Sequence, residues 1–243
     1  MRPFWISSLL GLVAGLANAV GGLILVRRLP STRSLRYFVA LGAGFMLSAA
    51  TLEMIPEGLA LNARWGPFLL LGGYCGMHLL EHTLVPHFHF GEETHHHEFL
   101  SLRTTYSVLL GLAMHTFFDG IAIGSGFVIS NWLGWVIFLA VFLHKIPEGF
   151  TVASVMLAGG RGRQVALASA LLLGVMTLLG VLAINAAPSL VHLGLPLAAG
   201  VTIYVAASDL VPEVNREPGI CMALVFFAGV AIFLALRSIG PAL

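Results

Sequence analysis

The chain has 243 residues, of which 58% are hydrophobic and only 9% carry a charged side chain. A soluble domain carries about 25% charged residues, so the composition excludes an ordinary soluble enzyme and reads as an integral membrane protein. The net charge of +1 gives no bulk attraction to nucleic acid, and the expected surrounding is the lipid bilayer.

A helix needs about 20 mostly apolar residues to cross a bilayer. Eight stretches satisfy this, at roughly 4–26, 37–61, 66–85, 104–129, 132–157, 165–186, 190–214 and 219–240. The whole chain, 1–243, therefore reads as one all-α, polytopic transmembrane domain of eight helices. Residues 2–19 have the outline of a signal peptide, with Arg2, an apolar stretch and Ala17-Asn18-Ala19. The apolar run continues to Val26, so a retained first span is expected. Cys75 and Cys221 lie in apolar runs and are expected to be small core residues, with no disulfide framework. Glycines such as Gly11, Gly15, Gly42 and Gly44 are expected to let helices approach closely.

Most connections are short. The exception is the histidine-rich loop 86–103, which holds His87, His89, His95, His96 and His97 beside Glu92, Glu93 and Glu98. Arginine placement sets the orientation. With an external N-terminus, the cytoplasmic side receives Arg27, Arg28, Arg33, Arg36, Arg103, Arg161, Arg163 and Arg216, and the outside only Arg2, Arg64 and Arg237. Both termini are then outside and the histidine-rich loop is cytoplasmic.

Segments 4 and 5 share a motif. "HTFFDGIAIGS" from His115 and "HKIPEGFTVAS" from His144 align at an offset of 29 residues (144 − 115) as H-x-x-x-[DE]-G-x4-S. Adjacent spans run in opposite directions, and both copies start near mid-span, so they form a small inverted repeat at the bilayer centre. Residues i and i+4 share a helix face. His115 with Asp119 and His144 with Glu148 thus offer two imidazoles and two carboxylates, a set that suits zinc and accepts other first-row divalent ions. Two carboxylates also balance one divalent charge where an unpaired charge is costly. Pro147 lacks an N–H and clashes with the carbonyl of Leu143, which is expected to open the backbone beside His144.

Two further acidic pairs each surround an expected proline kink: Glu53 and Glu57 about Pro56, and Asp209 and Glu213 about Pro212. The first is read as an external approach for cations and the second as an internal exit. Glu57 and Glu213 also fit as interfacial helix-end residues. His78 and His82 belong to "HLLEH", a short zinc-peptidase pattern with Glu81. They and the loop histidines read either as cytoplasmic metal capture or as a solvated polar face.

The motifs "HTFFDG" and "HKIPEG", the proline-acid pairs of segments 2 and 7, the eight-span layout and the histidine-rich loop resemble the ZIP (Zrt-, Irt-like) metal transporter family, bacterial type. The resemblance implies import of zinc or a related divalent ion as substrate, with no resident cofactor and no enzymatic activity. It implies a 3+2+3 helix arrangement with inverted repeats, a possible homodimer in the bacterial inner membrane, and elevator-type movement of the bundle carrying segments 4 and 5. It places the main metal site at His115, Asp119, His144 and Glu148, with Met46 either a further ligand or a packing residue. Two-metal relatives carry asparagine and an acid where this chain has Thr116 and Lys145, and an acid on segment 6, which has none here. A single-metal site follows as the expectation, with the Lys145 ammonium in place of the second metal. The competing readings are a divalent cation channel and a membrane-embedded zinc hydrolase built on His78, Glu81 and His82.

Overall fold

The computed structural model describes residues 2–27, 32–84, 102–215 and 220–239, nearly all helical. The elements are α1 (Arg2–Arg27), α2 (Thr32–Ala49), a π turn (Ala50–Met54), α3 (Ile55–Leu61), α4 (Gly66–Leu84), α5 (Leu102–Ile129), α6 (Asn131–Ala158) and α7 (Arg163–Ala186). A 3-10 turn (Pro188–Leu190) then leads to α8 (Val191–Tyr204), a second π turn (Val205–Leu210), α9 (Val211–Asn215) and α10 (Ile220–Ile239). Because the π turns join α2 to α3 and α8 to α9, the described residues form eight rods. Seven of these are long and apolar enough to cross a membrane. The exception among the expected eight is α4, whose 19 residues include His78, Glu81 and His82 and are less apolar for it.

The prolines of the three Pro-Glu dipeptides, Pro56, Pro147 and Pro212, behave differently. Ahead of Pro56 and Pro212 the helix widens: the Ile55 N–H bonds to the Ala50 carbonyl and the Val211 N–H to the Ala206 carbonyl, each five residues back. A π turn relieves the clash between a proline ring and the carbonyl four residues earlier without ending the helix. α6, in contrast, stays helical through Pro147. The carbonyl that this proline leaves without its helical partner, that of Leu143, lies 3.6 Å from where a Cβ on Gly42 would fall. The backbone expected to open beside His144 is therefore covered by α2.

Packing follows a pseudo-twofold plan. α1 packs on α6 and α7, and α5 packs on α7 and α6, which makes a four-helix bundle. Outside it, α2 pairs with α10 and rests on α6, while α4 pairs with α8, which rests on α5. Reciprocal glycines mark the crossings. A Cβ at Gly44 would lie 2.1 Å from the Phe226 carbonyl oxygen, and one at Gly229 would lie 2.2 Å from that of Leu41. The α4–α8 crossing repeats this through Gly73 against Leu197 and Gly200 against Leu70. Within the bundle, Gly149 meets the Asn18 carbonyl and Gly21 that of Ile146, while Gly180 meets Phe117 and Gly120 meets Thr177. Backbone touches backbone at each crossing, the packing that lipid-embedded helices favour.

The expectation that both cysteines are core residues fails: Cys75 and Cys221 are exposed on α4 and α10. Large apolar side chains such as Phe68, Leu79, Leu224 and Phe227 are exposed on the same two helices. Lipid tails are as apolar as leucine, so an apolar run does not separate core from lipid face.

Candidate metal centre

The centre is built on a hairpin. α5 ends at Ile129 and α6 begins at Asn131, so one residue, Ser130, joins them. Its backbone N–H closes α5 on the Gly126 carbonyl at 2.9 Å, and its hydroxyl accepts the Leu133 N–H at 3.1 Å to cap α6. His115 lies 15 residues before Ser130 (130 − 115) and His144 lies 14 after it (144 − 130). At 1.5 Å per helical residue both sit about 21–22 Å from the turn, at equal depth.

One donor atom from each of His115, Asp119, His144 and Glu148 lies within 4.8 Å of the others, and all four side chains are buried. Asp119 Oδ2 is the hub: His115 Nε2 lies 3.1 Å away and His144 Nε2 3.2 Å away. His144 Nε2 is also 3.8 Å from Glu148 Oε2. His144 Nδ1 lies 3.0 Å from the Ala140 carbonyl oxygen, so Nδ1 carries a proton to donate. In the neutral ring Nε2 then presents a lone pair to the cluster, the orientation that a second-shell carbonyl imposes on a metal ligand. Asp119 Oδ1 and His115 Nδ1 have no hydrogen-bond partner among the described residues. Two nitrogens and two carboxylates with spare lone pairs fit a divalent ion with a taste for mixed N/O ligation.

Lys145 is fully buried in the same cluster. Its Nζ lies 2.6 Å from Asp119 Oδ2 and 2.5 Å from Glu148 Oε2. The Thr116 hydroxyl lies against the other oxygen of Glu148 and within 2.6 Å of the Leu112 carbonyl. With neutral imidazoles the cluster sums to −1, two carboxylates against one ammonium. The ammonium balances part of the buried negative charge while leaving a net attraction for a cation.

The other expected site residues are spread along the rods. Met46 is fully buried in an apolar cluster with Val136 and Ala140. Glu53 is buried in the first π turn, with Arg237 Nε 3.2 Å from its Oε1, and Glu57 is half-buried one turn on. Asp209 is half-buried in the second π turn, while the Glu213 side chain lies outside what the structure describes. His78 and His82 are exposed on α4 with ring centroids 4.5 Å apart. Among the described residues these groups do not gather into a second metal-ligating cluster. The loop histidines His87, His89, His95, His96 and His97 lie outside the described residues.

Two partners were not foreseen. The Tyr204 hydroxyl donates to Glu81 Oε2 at 2.9 Å, across 123 residues of sequence. Arg237 meets Glu53 in the same long-range way. Tyr204 gave no sign in a single sequence, but Arg237 did: it is a lone charge in the last turn of a strongly apolar helix.

A family model described as ZIP zinc transporter matches residues 91–237. Zinc transporter ZupT of Escherichia fergusonii is 30% identical over 221 residues, 84% of each chain. Zinc transporter GufA of Myxococcus xanthus is 29% identical over 184 residues, 72% of each. Zinc transporter foi of Drosophila melanogaster is 30% identical over 115 residues, but those cover only 16% of that longer protein. The family is one of transporters, which sets aside the hydrolase reading of "HLLEH". On its family-model match and its similarity to ZupT along most of both chains, the protein belongs to the ZIP zinc transporter family.

Proposed function

We propose that this protein carries divalent metal ions, zinc first among them, across a bacterial inner membrane toward the cytoplasm. The observation that carries this reading is the buried set His115, Asp119, His144 and Glu148, whose donor atoms lie within 4.8 Å of one another. The cargo binds there as a single ion. Lys145, on Asp119 and Glu148, holds the place of a second ion. All eight rods span the membrane in a 3+2+3 arrangement with both termini outside, and α4 crosses despite its polar end. Glu53 and Glu57 serve the outer approach, and Asp209 and Glu213 the inner exit. His78, His82 and the histidines of loop 86–103 take up ions released into the cytoplasm. Met46 packs against the hairpin.

Proteoliposome uptake tests the reading. Folded protein should take up zinc at a rate that saturates with zinc concentration, and zinc should bind at one ion per chain. Absence of flux would end the transport reading, and a rate that never saturates would favour a channel. Two bound ions at the centre would end the single-ion reading. Competition among zinc, iron, manganese and cadmium ranks the substrates.

A further inference from the structure

Glu53 is 1% exposed, and neither of its carboxylate oxygens accepts a hydrogen bond among the described residues. A carboxylate at such depth normally collects donors. Here it has one close cation, Arg237 Nε, 3.2 Å from Oε1 but without hydrogen-bond geometry. The two sides of the pair differ: the Arg237 side chain is 40% exposed. Its guanidinium lies in the last turn of α10, where a long basic side chain reaches toward the interface. The contact is thus a charge laid on an acid whose lone pairs remain available.

The position matters. α2 meets the centre at Gly42, where a Cβ would lie 3.7 Å from His144 Cβ. Glu53 is 11 residues further along the same rod (53 − 42), about 16 Å at helical rise. It sits inside the π turn ahead of Pro56, and such turns are frequent at functional sites. Both helices hold fixed register here, through Gly44 against Phe226, Gly229 against Leu41, and the edge-to-face pair Phe45–Phe233 with centroids 5.5 Å apart. Glu53 and Arg237 therefore cannot drift apart by sliding of α2 on α10.

We propose that Glu53 is a peripheral site for a divalent cation and that Arg237 is a tethered cation that occupies it until an incoming ion displaces the guanidinium. This rests on the transport reading above and adds a gate to it. An ion of charge +2 outcompetes a guanidinium on a carboxylate with free lone pairs. A monovalent ion has no such advantage, so the pair filters by charge before the centre is reached. Once displaced, Arg237 can extend toward the interface, because it stands in the last turn of α10.

The test is the zinc dependence of initial uptake in proteoliposomes made from the full chain. Arg237→Gln and Arg237→Leu should each lower KM about fivefold, the order of effect for a charge pair with one exposed partner, with little change in Vmax per folded protein. Arg237→Lys should keep the wild-type KM. Glu53→Gln should raise KM by a similar factor, and Glu53→Gln with Arg237→Gln should match Glu53→Gln alone. A purely structural pair would lower the yield of folded protein or Vmax and leave KM in place, which would overturn the proposal. So would a drop in KM that persists in the Glu53→Gln background. Saturable wild-type uptake with an unchanged Arg237→Gln KM would overturn this inference alone. Absence of saturable wild-type uptake would overturn the transport reading and this inference with it.

Discussion

Replacing Lys145 with methionine removes a buried ammonium and little volume. In the protein as it stands, Nζ is 2.6 Å from Asp119 Oδ2 and 2.5 Å from Glu148 Oε2, with all three side chains at 1% exposure or less. Breaking one partner out of a buried ion pair costs about 3–5 kcal/mol, because the charge left behind is uncompensated. The metal-free Lys145→Met protein should therefore melt well below wild type. A bound divalent ion relieves that penalty, so the lost stability reappears as affinity. At 1.4 kcal/mol per decade, the lower figure tightens zinc binding about a hundredfold. Turnover should fall at the same time, because an ion neutralised by two carboxylates with no competing ammonium leaves slowly. The measurements are the melting temperature of chelator-treated protein in detergent, a calorimetric zinc titration, and the uptake rate at saturating zinc. Unchanged metal-free stability, or zinc binding weaker than wild type, would refute the reasoning. Lys145→Asp extends it: a third carboxylate in place of the ammonium should raise the stoichiometry from one zinc to two.

Further outcomes are expected. His144→Ala should abolish uptake, because it removes a nitrogen donor at the centre, while His95→Ala in the loop should leave most of it; equal losses in uptake assays would contradict the assignment. Thr116→Val should cost about 1.5–3 kcal/mol of stability in a denaturation series, the worth of a hydrogen bond to a charged group, because the hydroxyl that faces Glu148 is lost. Gly149→Ala places a Cβ 1.9 Å from the Asn18 carbonyl oxygen and should destabilise by about 1–3 kcal/mol or more. Gly72→Ala, with nothing within 4 Å of the added atom, should be close to neutral in the same melting assay.

The spans were legible because a bilayer leaves little choice: backbone groups must bond within the segment, so a crossing shows as a long apolar run. The signal weakens in α4 because His78, Glu81 and His82 occupy one end of it. The pairing of His115 with Asp119 and of His144 with Glu148 was also legible, since i and i+4 on a helix fix a shared face. What stayed hidden depends on packing. Cys75 and Cys221 were expected in the core and lie exposed, because an apolar run reads the same against lipid as against core. The π turns were foreseen only as kinks, since a proline states that the helix must yield but not how. Pro147 shows the converse, with α6 continuous and the Leu143 carbonyl covered by Gly42. Tyr204 with Glu81, and Arg237 with Glu53, join residues 123 and 184 apart (237 − 53) that no local pattern connects.

The single-residue join at Ser130 has a consequence for how cargo is let go. Both imidazoles and both carboxylates of the centre belong to one capped hairpin, with equal arms on either side of the turn. An ion held by these four groups keeps its coordination shell through any rigid shift of the hairpin, because no ligand is donated from across a sliding surface. Dissociation then cannot come from pulling the shell open. On the proposed reading it would come from what the shell meets at its destination: water arriving at the carboxylates, and the Lys145 ammonium, already beside Asp119 and Glu148, reclaiming them as the ion departs. In the proposed transport cycle the lysine would be an internal return charge, sparing the emptied centre two bare carboxylates in hydrocarbon.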